Sequence, residues 1–335
     1  MVFLKCQQNT MGDITMSIFL YILGNNIIPI FMLIGLGFII NKKFELSVFT
    51  LSKLNFYIFI PGFIFYNLYT TNLSYGMLMI LLFCMVNLII NDLIARVISK
   101  IRKYDLSQEN AFKNSIMFNN TGNIGVSLVT LIFGSAPFVI DGKTPYLSQA
   151  LAAQIMILVF MNITMNTIGF YNAGRANMDI KDSMHQIFTM PSIYVILIAL
   201  LLKYIQIDIT ITPLWPAIEY IKGGLVPMAL ITLGTQLSKT KFDFRDNNVN
   251  TAVFARLIIG PVLALGLIYV FRFKGVIAQT AFISYSVPTA VNTALIAVEC
   301  HNNQDFASQE VMASTIYSAV TLTSAIYIAR ILFPV

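Results

Sequence analysis

Two polar segments interrupt long hydrophobic stretches of this chain, and their residue types suit the binding of an anion. The residues concerned are Asn119, Asn120, Gly122 and Asn123 in the first segment, and Pro288, Thr289 and Asn292 in the second. Asparagine amides donate hydrogen bonds without burying a cation, and free N–H groups at helix N-termini favour a carboxylate. The segments therefore predict an anion site, unless these residues only hold helices together.

The two interruptions also predict a particular backbone geometry. Gly and Pro break helices, and unwound backbone inside a membrane is tolerated only where protein buries it or it lines a wet cavity. We therefore predict non-helical backbone within residues 119–125 and 286–291, with the two segments crossing near the membrane midplane. Paired interruptions in two halves of a chain are typical of the binding site of a secondary transporter.

Further polar residues lie inside hydrophobic stretches. Asp92 and Arg96 are one helical turn apart, which is either a functional pair that supports the site or a self-neutralised pair at the membrane edge. We expect Asp92 to face the interior, whereas the edge position is favoured for Arg96. Asn162 and Asn166 either line the site or hold their helix against a neighbour. Arg256 lies near a basic loop and is predicted to extend to the membrane surface.

Composition places the chain in a lipid bilayer. The 335 residues are 57% hydrophobic and only 11% charged, against about 25% charged residues in soluble proteins. Hydropathy predicts an all-α polytopic membrane protein of about ten spans, near residues 18–41, 47–69, 75–99, 112–134, 147–172, 186–204, 222–238, 249–271, 276–300 and 309–333. A short interfacial helix is predicted at 213–221, before the seventh span.

The spans indicate an internal duplication. Pro29 and Pro191 are 162 positions apart, Pro61 and Pro227 are 166 apart, and the two interruptions are 165 apart. We therefore predict a five-plus-five inverted repeat: an N-terminal segment 1–17, a first repeat 18–172, a linker 173–185 and a second repeat 186–335. Lys and Arg are concentrated in alternate loops, which predicts that both termini lie outside the cytoplasm.

Several classes of function are disfavoured. The cations are dispersed between hydrophobic runs, so the net charge of +6 indicates loop anchors and no nucleic-acid partner. The three cysteines and two histidines are scattered, and neither a metal site nor a cofactor is expected. There is no P-loop pattern and no constellation of nucleophile and base, so an enzyme is not expected.

Motifs along nearly the whole chain resemble the auxin efflux carrier family, which includes plant auxin carriers and bacterial permeases. The similar segments are residues 28–37, 56–61, 120–125 and 226–234, the run Pro-Thr-Ala-Val-Asn-Thr-Ala-Leu-Ile-Ala at 288–297, and Ser314, Thr315 and Ser318. The resemblance implies that spans one, two, six and seven form a scaffold beside a moving bundle that works as an elevator. It implies a crossover asparagine at Asn120, a crossover proline at Pro288, a bundle aspartate at Asp92 and a scaffold-mediated homodimer.

The sequence therefore predicts a multi-pass permease of the inner cell membrane. The family moves organic anions, so the resemblance implies a mono- or dicarboxylate such as malate or malonate as substrate. One alternative is a sodium- or proton-coupled symporter or antiporter of the bile-acid-symporter-like crossed-helix class. The other alternative is a membrane sensor that binds a ligand without moving it.

Overall fold

The computed structural model describes residues 20–70, 75–174, 191–239 and 245–335. Regular structure in these ranges is helical, apart from two isolated backbone bridges. The predicted N-terminal segment 1–17, most of the predicted linker 173–185 and the start of the predicted sixth span lie outside the described residues.

Twelve helices follow one another in the described ranges. They are α1 (Leu20–Phe44), α2 (Val48–Thr70), α3 (Tyr75–Arg102), α4 (Leu106–Met117), α5 (Thr121–Phe133), α6 (Leu147–Ala173), α7 (Pro191–Tyr204), α8 (Leu214–Leu237), α9 (Asn247–Val270), α10 (Gly275–Ser286), α11 (Val291–Glu299) and α12 (Gln304–Leu332). Seven of them, α1, α2, α3, α6, α8, α9 and α12, are long and apolar enough to cross a membrane.

These seven helices correspond to seven of the ten predicted spans. The predicted fourth and ninth spans are each divided into two short helices, α4 with α5 and α10 with α11. The predicted sixth span is represented by the 14 residues of α7. The structure is thus that of an all-helical, polytopic membrane protein, whereas the ten spans and the inverted repeat stay predictions.

Prolines widen three of the long helices. A π-helical turn ends two residues before a proline in each case: Leu23–Ile27 before Pro29 in α1, Asn55–Phe59 before Pro61 in α2, and Ala255–Ile259 before Pro261 in α9. Proline has no N–H and clashes with the preceding turn, and a wider turn accommodates both defects. In α9 this turn carries Arg256, whose side chain is directed into the protein.

The helices pack in two groups. The four-helix group is α1, α2, α7 and α8, in which α1 packs on α8 and α2 packs on α7 and α8. The crossed-helix group is α3 to α6 together with α9 to α12. Within the four-helix group, α1 and α8 touch at glycines, since a Cβ atom on Gly37 would lie 2.2 Å from the Ile231 carbonyl oxygen. Small residues allow such close helix packing in membranes.

The predicted interfacial helix at 213–221 is wrong. Residues 214–221 belong to α8, which begins at Leu214 after Pro213 and runs without interruption to Leu237. A proline in the first helical turn removes an N–H that has no partner in any case, so Pro213 and Pro216 mark the start of a long helix. Trp215 in this first turn stacks on Tyr66 of α2, with ring centroids 5.0 Å apart.

Candidate functional site

The first helix break is shorter than the sequence predicts. Helix α4 ends at Met117, residues 118–120 are non-helical, and α5 begins at Thr121 with a π-helical turn that ends at Gly125. The prediction of non-helical backbone was therefore wrong for 121–125. The side-chain oxygen of Asn120 accepts a hydrogen bond from the Asn123 N–H at 3.3 Å, and this N-cap lets the helix restart early.

The second break lies within the predicted segment. Helix α10 ends at Ser286, residues 287–290 are non-helical, and α11 begins at Val291. The cause is Pro288, which lacks an N–H and whose ring disfavours the helical conformation of Val287. Val287 is accordingly extended, with φ −69° and ψ 155°.

The two breaks pair with each other through their backbones. The Asn120 N–H donates to the Pro288 carbonyl at 2.8 Å, and the Ala290 N–H donates to the Phe118 carbonyl at 2.9 Å. These bonds flank an antiparallel bridge between Asn119 and Thr289. Broken helices leave unsatisfied backbone groups, and each break here supplies partners for the other.

Behind this junction lies a fully buried arginine, so the prediction that Arg256 extends to the membrane surface is wrong. Its Nη1 donates to the Ile116 carbonyl at 2.8 Å and to the Asn119 Oδ1 at 2.6 Å, and its Nη2 donates to the Tyr285 carbonyl. Ile116 is in the last turn of α4 and Tyr285 in the last turn of α10. The guanidinium therefore caps the C-terminal ends of both broken helices.

Two more buried polar side chains hold the breaks. Gln154 of α6 donates to the Thr121 carbonyl at 2.9 Å and accepts from the Ser284 hydroxyl. Glu310 of α12 lies 2.8 Å from the Thr289 hydroxyl. Gln154, Thr289 and Glu310 are all fully buried. The junction is thus fixed from α6, α9 and α12 at once.

A cavity of about 40 Å³ lies beside the junction, and Arg256, Gln154 and Glu310 are not among the residues that line it. The crossed-helix group contributes Asn119, Asn120, Thr121, Gly122, Asn123, Leu158, Met161, Asn162, Met165, Ala290, Val291 and Asn292, and the four-helix group contributes Ser52, Asn55, Ile60, Thr232 and Gln236. The volume has room for about three ordered water molecules. The cavity therefore lies between the two helix groups, with amides and hydroxyls on both walls.

Polar groups at this cavity lack protein partners among the described residues. The Asn120 amide nitrogen and the Asn55 side-chain oxygen are buried and make no hydrogen bond there. The backbone N–H groups of Gly122 and Asn292, at the starts of α5 and α11, also have no partner in the described ranges. Buried polar groups without partners are rare in proteins. The Asn120 wall is therefore suited to a polar ligand that accepts hydrogen bonds, whereas the Asn55 oxygen needs a donor such as a water molecule.

The structure divides the predicted binding residues into two sets. Asn120, Gly122, Asn123 and Asn292 line the cavity. Asn119 also lines it, but both ends of its amide are used, by Arg256 and by the Ser284 carbonyl at 3.2 Å. Pro288 and Thr289 are at the junction and are not among the residues that line the cavity. Two further asparagines were predicted either to line the site or to hold their helix against a neighbour. Asn162 lines the cavity, and Asn166 donates a hydrogen bond to the Asn162 carbonyl.

The predicted pair of Asp92 and Arg96 forms on α3. Arg96 Nε lies 2.7 Å from Asp92 Oδ2, and the two side chains are 53% and 22% exposed, respectively. Within the described ranges, the hydrogen bond of the Asp92 carboxylate is to Arg96 and not to a residue of the junction. The pair therefore neutralises itself, and the interior position expected for Asp92 is not the one observed.

Sequence reasoning missed Gln154 and Glu310 and misplaced Arg256. Gln154 had a detectable signal, because it is the one strongly polar side chain in the run Ala-Ala-Gln-Ile-Met-Ile at 152–157. Glu310 gave a weaker signal, because it follows other polar residues at the predicted start of the tenth span. Arg256 is buried because carbonyl oxygens from distant segments surround it, and no local pattern encodes that arrangement.

Long apolar helices, with two broken helices that pair at their breaks beside a polar cavity, define a multi-pass membrane protein. The chain belongs to the membrane transport protein family, that of the auxin efflux carriers, whose model matches residues 22–326. It is therefore a membrane transporter, and the resemblance seen in the sequence is confirmed.

Two relatives carry transporter names. A protein of Methanothermobacter thermautotrophicus named "Uncharacterized transporter" is 24% identical over 304 residues, covering 88% of this chain and 95% of that protein. A "Putative malonate transporter" of Rhizobium meliloti is 29% identical over 119 residues, covering 35% of this chain and 37% of that protein.

Proposed function

We propose that the chain is a permease for a small organic anion, a mono- or dicarboxylate such as malonate or malate, which binds in the cavity beside the crossed breaks. The observation that carries this proposal is the Asn120 amide nitrogen, buried at the cavity without an acceptor among the described residues. A carboxylate oxygen is the acceptor that this amide, and the neighbouring N–H groups of Gly122 and Asn292, lack. The name of the Rhizobium relative agrees with this substrate class.

The positions of the other predicted residues support the following proposed roles. Asn120, Asn123 and Asn292 contact the anion, and Gly122 presents its N–H. Asn119, Pro288 and Thr289 hold the junction behind the cavity, so they position the binding groups. Asp92 and Arg96 support the bundle as an ion pair on α3, remote from the anion. Neither a cofactor nor a metal has a role in this proposal.

We further propose that transport follows an elevator motion, in which the crossed-helix group moves against the four-helix group. The cavity lies between these groups, so a relative displacement would carry the anion with its amide ligands. At about 40 Å³ the cavity accommodates about three waters, and a larger acid needs the wall of Ser52, Asn55 and Thr232 to separate from the bundle. The close packing of α1 on α8 at Gly37 and Gly234 suits a rigid scaffold.

The inverted repeat belongs to the same proposal. Helices α4 and α10 have 12 residues each, each precedes a break, and each break is followed by a helix that restarts beside the cavity. This parallel supports two halves of five spans each, inserted with opposite orientation in the inner membrane. Both termini then lie outside the cytoplasm, and the four-helix group is free to form a homodimer.

Uptake of labelled organic acids into proteoliposomes tests the substrate class. The proposal predicts saturable uptake of a small mono- or dicarboxylate, competed by unlabelled acids of the same class and not by neutral analogues. Binding without uptake would favour the sensor instead.

Cross-linking tests the elevator. Gln236→Cys and Asn162→Cys place thiols on opposite cavity walls, in a background without the native cysteines Cys6, Cys84 and Cys300. A short bifunctional thiol reagent with a reducible bridge should stop uptake, and reductant should restore it. Full uptake by the cross-linked protein would contradict the relative motion.

A further inference from the structure

We propose that Arg256 is a built-in cation that takes the place of a coupling sodium ion at the crossing, so that the junction assembles and transport proceeds without Na⁺. This inference rests on the proposed transport function, which it deepens by assigning the cation requirement. In transporters with broken helices, unwound carbonyls and the C-terminal ends of half-helices are the groups that coordinate a coupling sodium ion. Those are the groups that the guanidinium contacts in this chain.

The acceptors of Arg256 are all uncharged oxygen atoms. Arg256 donates to two main-chain carbonyls, of Ile116 at 2.8 Å and of Tyr285, and to the Asn119 side-chain oxygen at 2.6 Å. The carbonyls come from the two different broken helices, and the side-chain oxygen comes from the first break. Main-chain and amide oxygens are ligands for a hard cation, and here the planar guanidinium uses them instead.

The partial charges of two helix ends help to compensate the positive charge of Arg256. The C-terminal end of a helix carries a partial charge of about −0.5, and α4 and α10 bring two such ends to Arg256. Together they present roughly one negative charge to one guanidinium. The side chain is fully buried, and a buried cation must be compensated. Helix ends and the Asn119 amide supply the direct contacts, because no carboxylate within the described ranges lies within 4 Å of Arg256. The buried Glu310 of α12, which lies at the same junction, also interacts electrostatically with the guanidinium.

Arg256 lies at the centre of the hydrogen bonds that hold the junction together. Asn119 bonds Arg256 through its oxygen and the Ser284 carbonyl through its nitrogen, so one side chain links the cation to both breaks. The next residue, Asn120, lines the cavity. Without the cation, the C-terminal ends of α4 and α10, which both carry partial negative charge, would repel each other next to the proposed anion site. Arg256 is a positioning residue, because it does not line the cavity.

Chemical rescue tests this assignment without any transport measurement. Arg256→Ala leaves a buried hole of guanidinium shape, so low-millimolar guanidinium should raise the melting temperature of the purified variant by roughly 2–5 °C. Urea, a neutral molecule of similar shape, should not. Arg96→Ala is the matched control, because Arg96 is exposed and its removal creates no buried site. Equal stabilisation by urea, or none by guanidinium, would overturn the proposal.

If Arg256→Ala is recovered folded only when guanidinium is present during extraction, the proposal is supported, and recovery with urea alone overturns it.

Cation dependence of uptake is the second readout. Uptake by the wild type should change less than about twofold when external and internal Na⁺ are replaced by N-methylglucamine. Arg256→Lys should keep part of the activity, since it preserves the charge but not the planar fork. Arg256→Ala should lose uptake and recover it with guanidinium.

A strict Na⁺ requirement in the wild type would overturn the proposal. Failure of the wild type to move any organic acid would refute the transport function instead and leave the melting-temperature result to decide the role of Arg256.

Discussion

The oxygen of the Asn119 amide accepts a hydrogen bond from Arg256 Nη1 at 2.6 Å, although the two residues are 137 positions apart in the chain. This contact separates the roles of two adjacent asparagines. Asn119 is fully engaged in holding the junction, whereas Asn120 presents a free amide nitrogen at the cavity. Substitution of the two residues should therefore have different consequences.

Asn119→Ala should reduce the stability of the folded protein. The substitution removes an acceptor from the buried Arg256 and a donor from the Ser284 carbonyl. A buried polar group without its partner costs about 1–3 kcal/mol, and more when it is charged. The melting temperature in detergent should fall clearly below that of the wild type. An unchanged melting temperature would show that Arg256 has other partners.

Gly125→Ala should destabilise the first break, because a Cβ atom there would lie 2.6 Å from Gln154 Nε2. That nitrogen donates to the Thr121 carbonyl, so the methyl group would displace it, at a cost of about 1–3 kcal/mol. Gly122→Ala is the matched control, since its Cβ would meet Leu158 at an ordinary 3.5 Å. Thermal unfolding should show a large loss for the first variant and little change for the second. Equal losses would mean that the glycines act through backbone flexibility alone.

Gly234→Ala should disturb the packing of α8 on α1. The added Cβ would lie 1.9 Å from the Ile34 carbonyl oxygen, so the helices would have to separate, with a loss of about 1–3 kcal/mol or more. Gly35→Ala, in α1, meets nothing within 4 Å and should be neutral or slightly stabilising. Thermal unfolding of the two variants measures the difference. If Gly234→Ala melts like Gly35→Ala, the helices are not in tight contact at this point.

Asp92→Asn should have a small effect that is the same at every pH. The carboxylate is paired with Arg96 and partly exposed, and an i,i+4 pair on a helix contributes about 0.3–0.5 kcal/mol. Uptake should therefore fall by no more than about twofold. Uptake measured over a range of external pH checks this. A variant that loses the pH dependence of the wild type would instead make Asp92 part of the coupling to protons.

Much of the fold could be predicted because its signals are local. Apolar runs predict the long helices, and Pro288 disfavours a helix for its neighbours whatever the tertiary structure. The pairing of the breaks could be anticipated, because unwound backbone in a membrane needs a partner. The early restart of α5 was not anticipated. Gly122 and Gly125 disfavour a helix, but the N-cap formed by the Asn120 side chain favours one and outweighs them.

The centre of the junction could not be predicted. Arg256 and Glu310 look like boundary charges in the sequence, and only the meeting of α4, α9, α10 and α12 makes their burial possible. Helix ends near Arg256 provide carbonyl oxygens whose positions depend on the whole fold. Hydropathy scales penalise a charged residue inside a membrane, so they assign both residues to the surface.

The most direct test of the proposed anion site is uptake of a labelled dicarboxylate by Asn120→Ala and Asn292→Ala in proteoliposomes, with equal amounts of folded protein. Loss of a hydrogen bond to the bound anion costs about 1–3 kcal/mol, which weakens binding roughly 5- to 150-fold. Asn67→Ala is the matched control, since Asn67 is a buried asparagine of α2 that donates to the Phe63 carbonyl at 2.8 Å. We expect a raised KM in both cavity variants and a wild-type KM in the control. Wild-type uptake by both cavity variants would contradict it and leave the asparagines as helix contacts only.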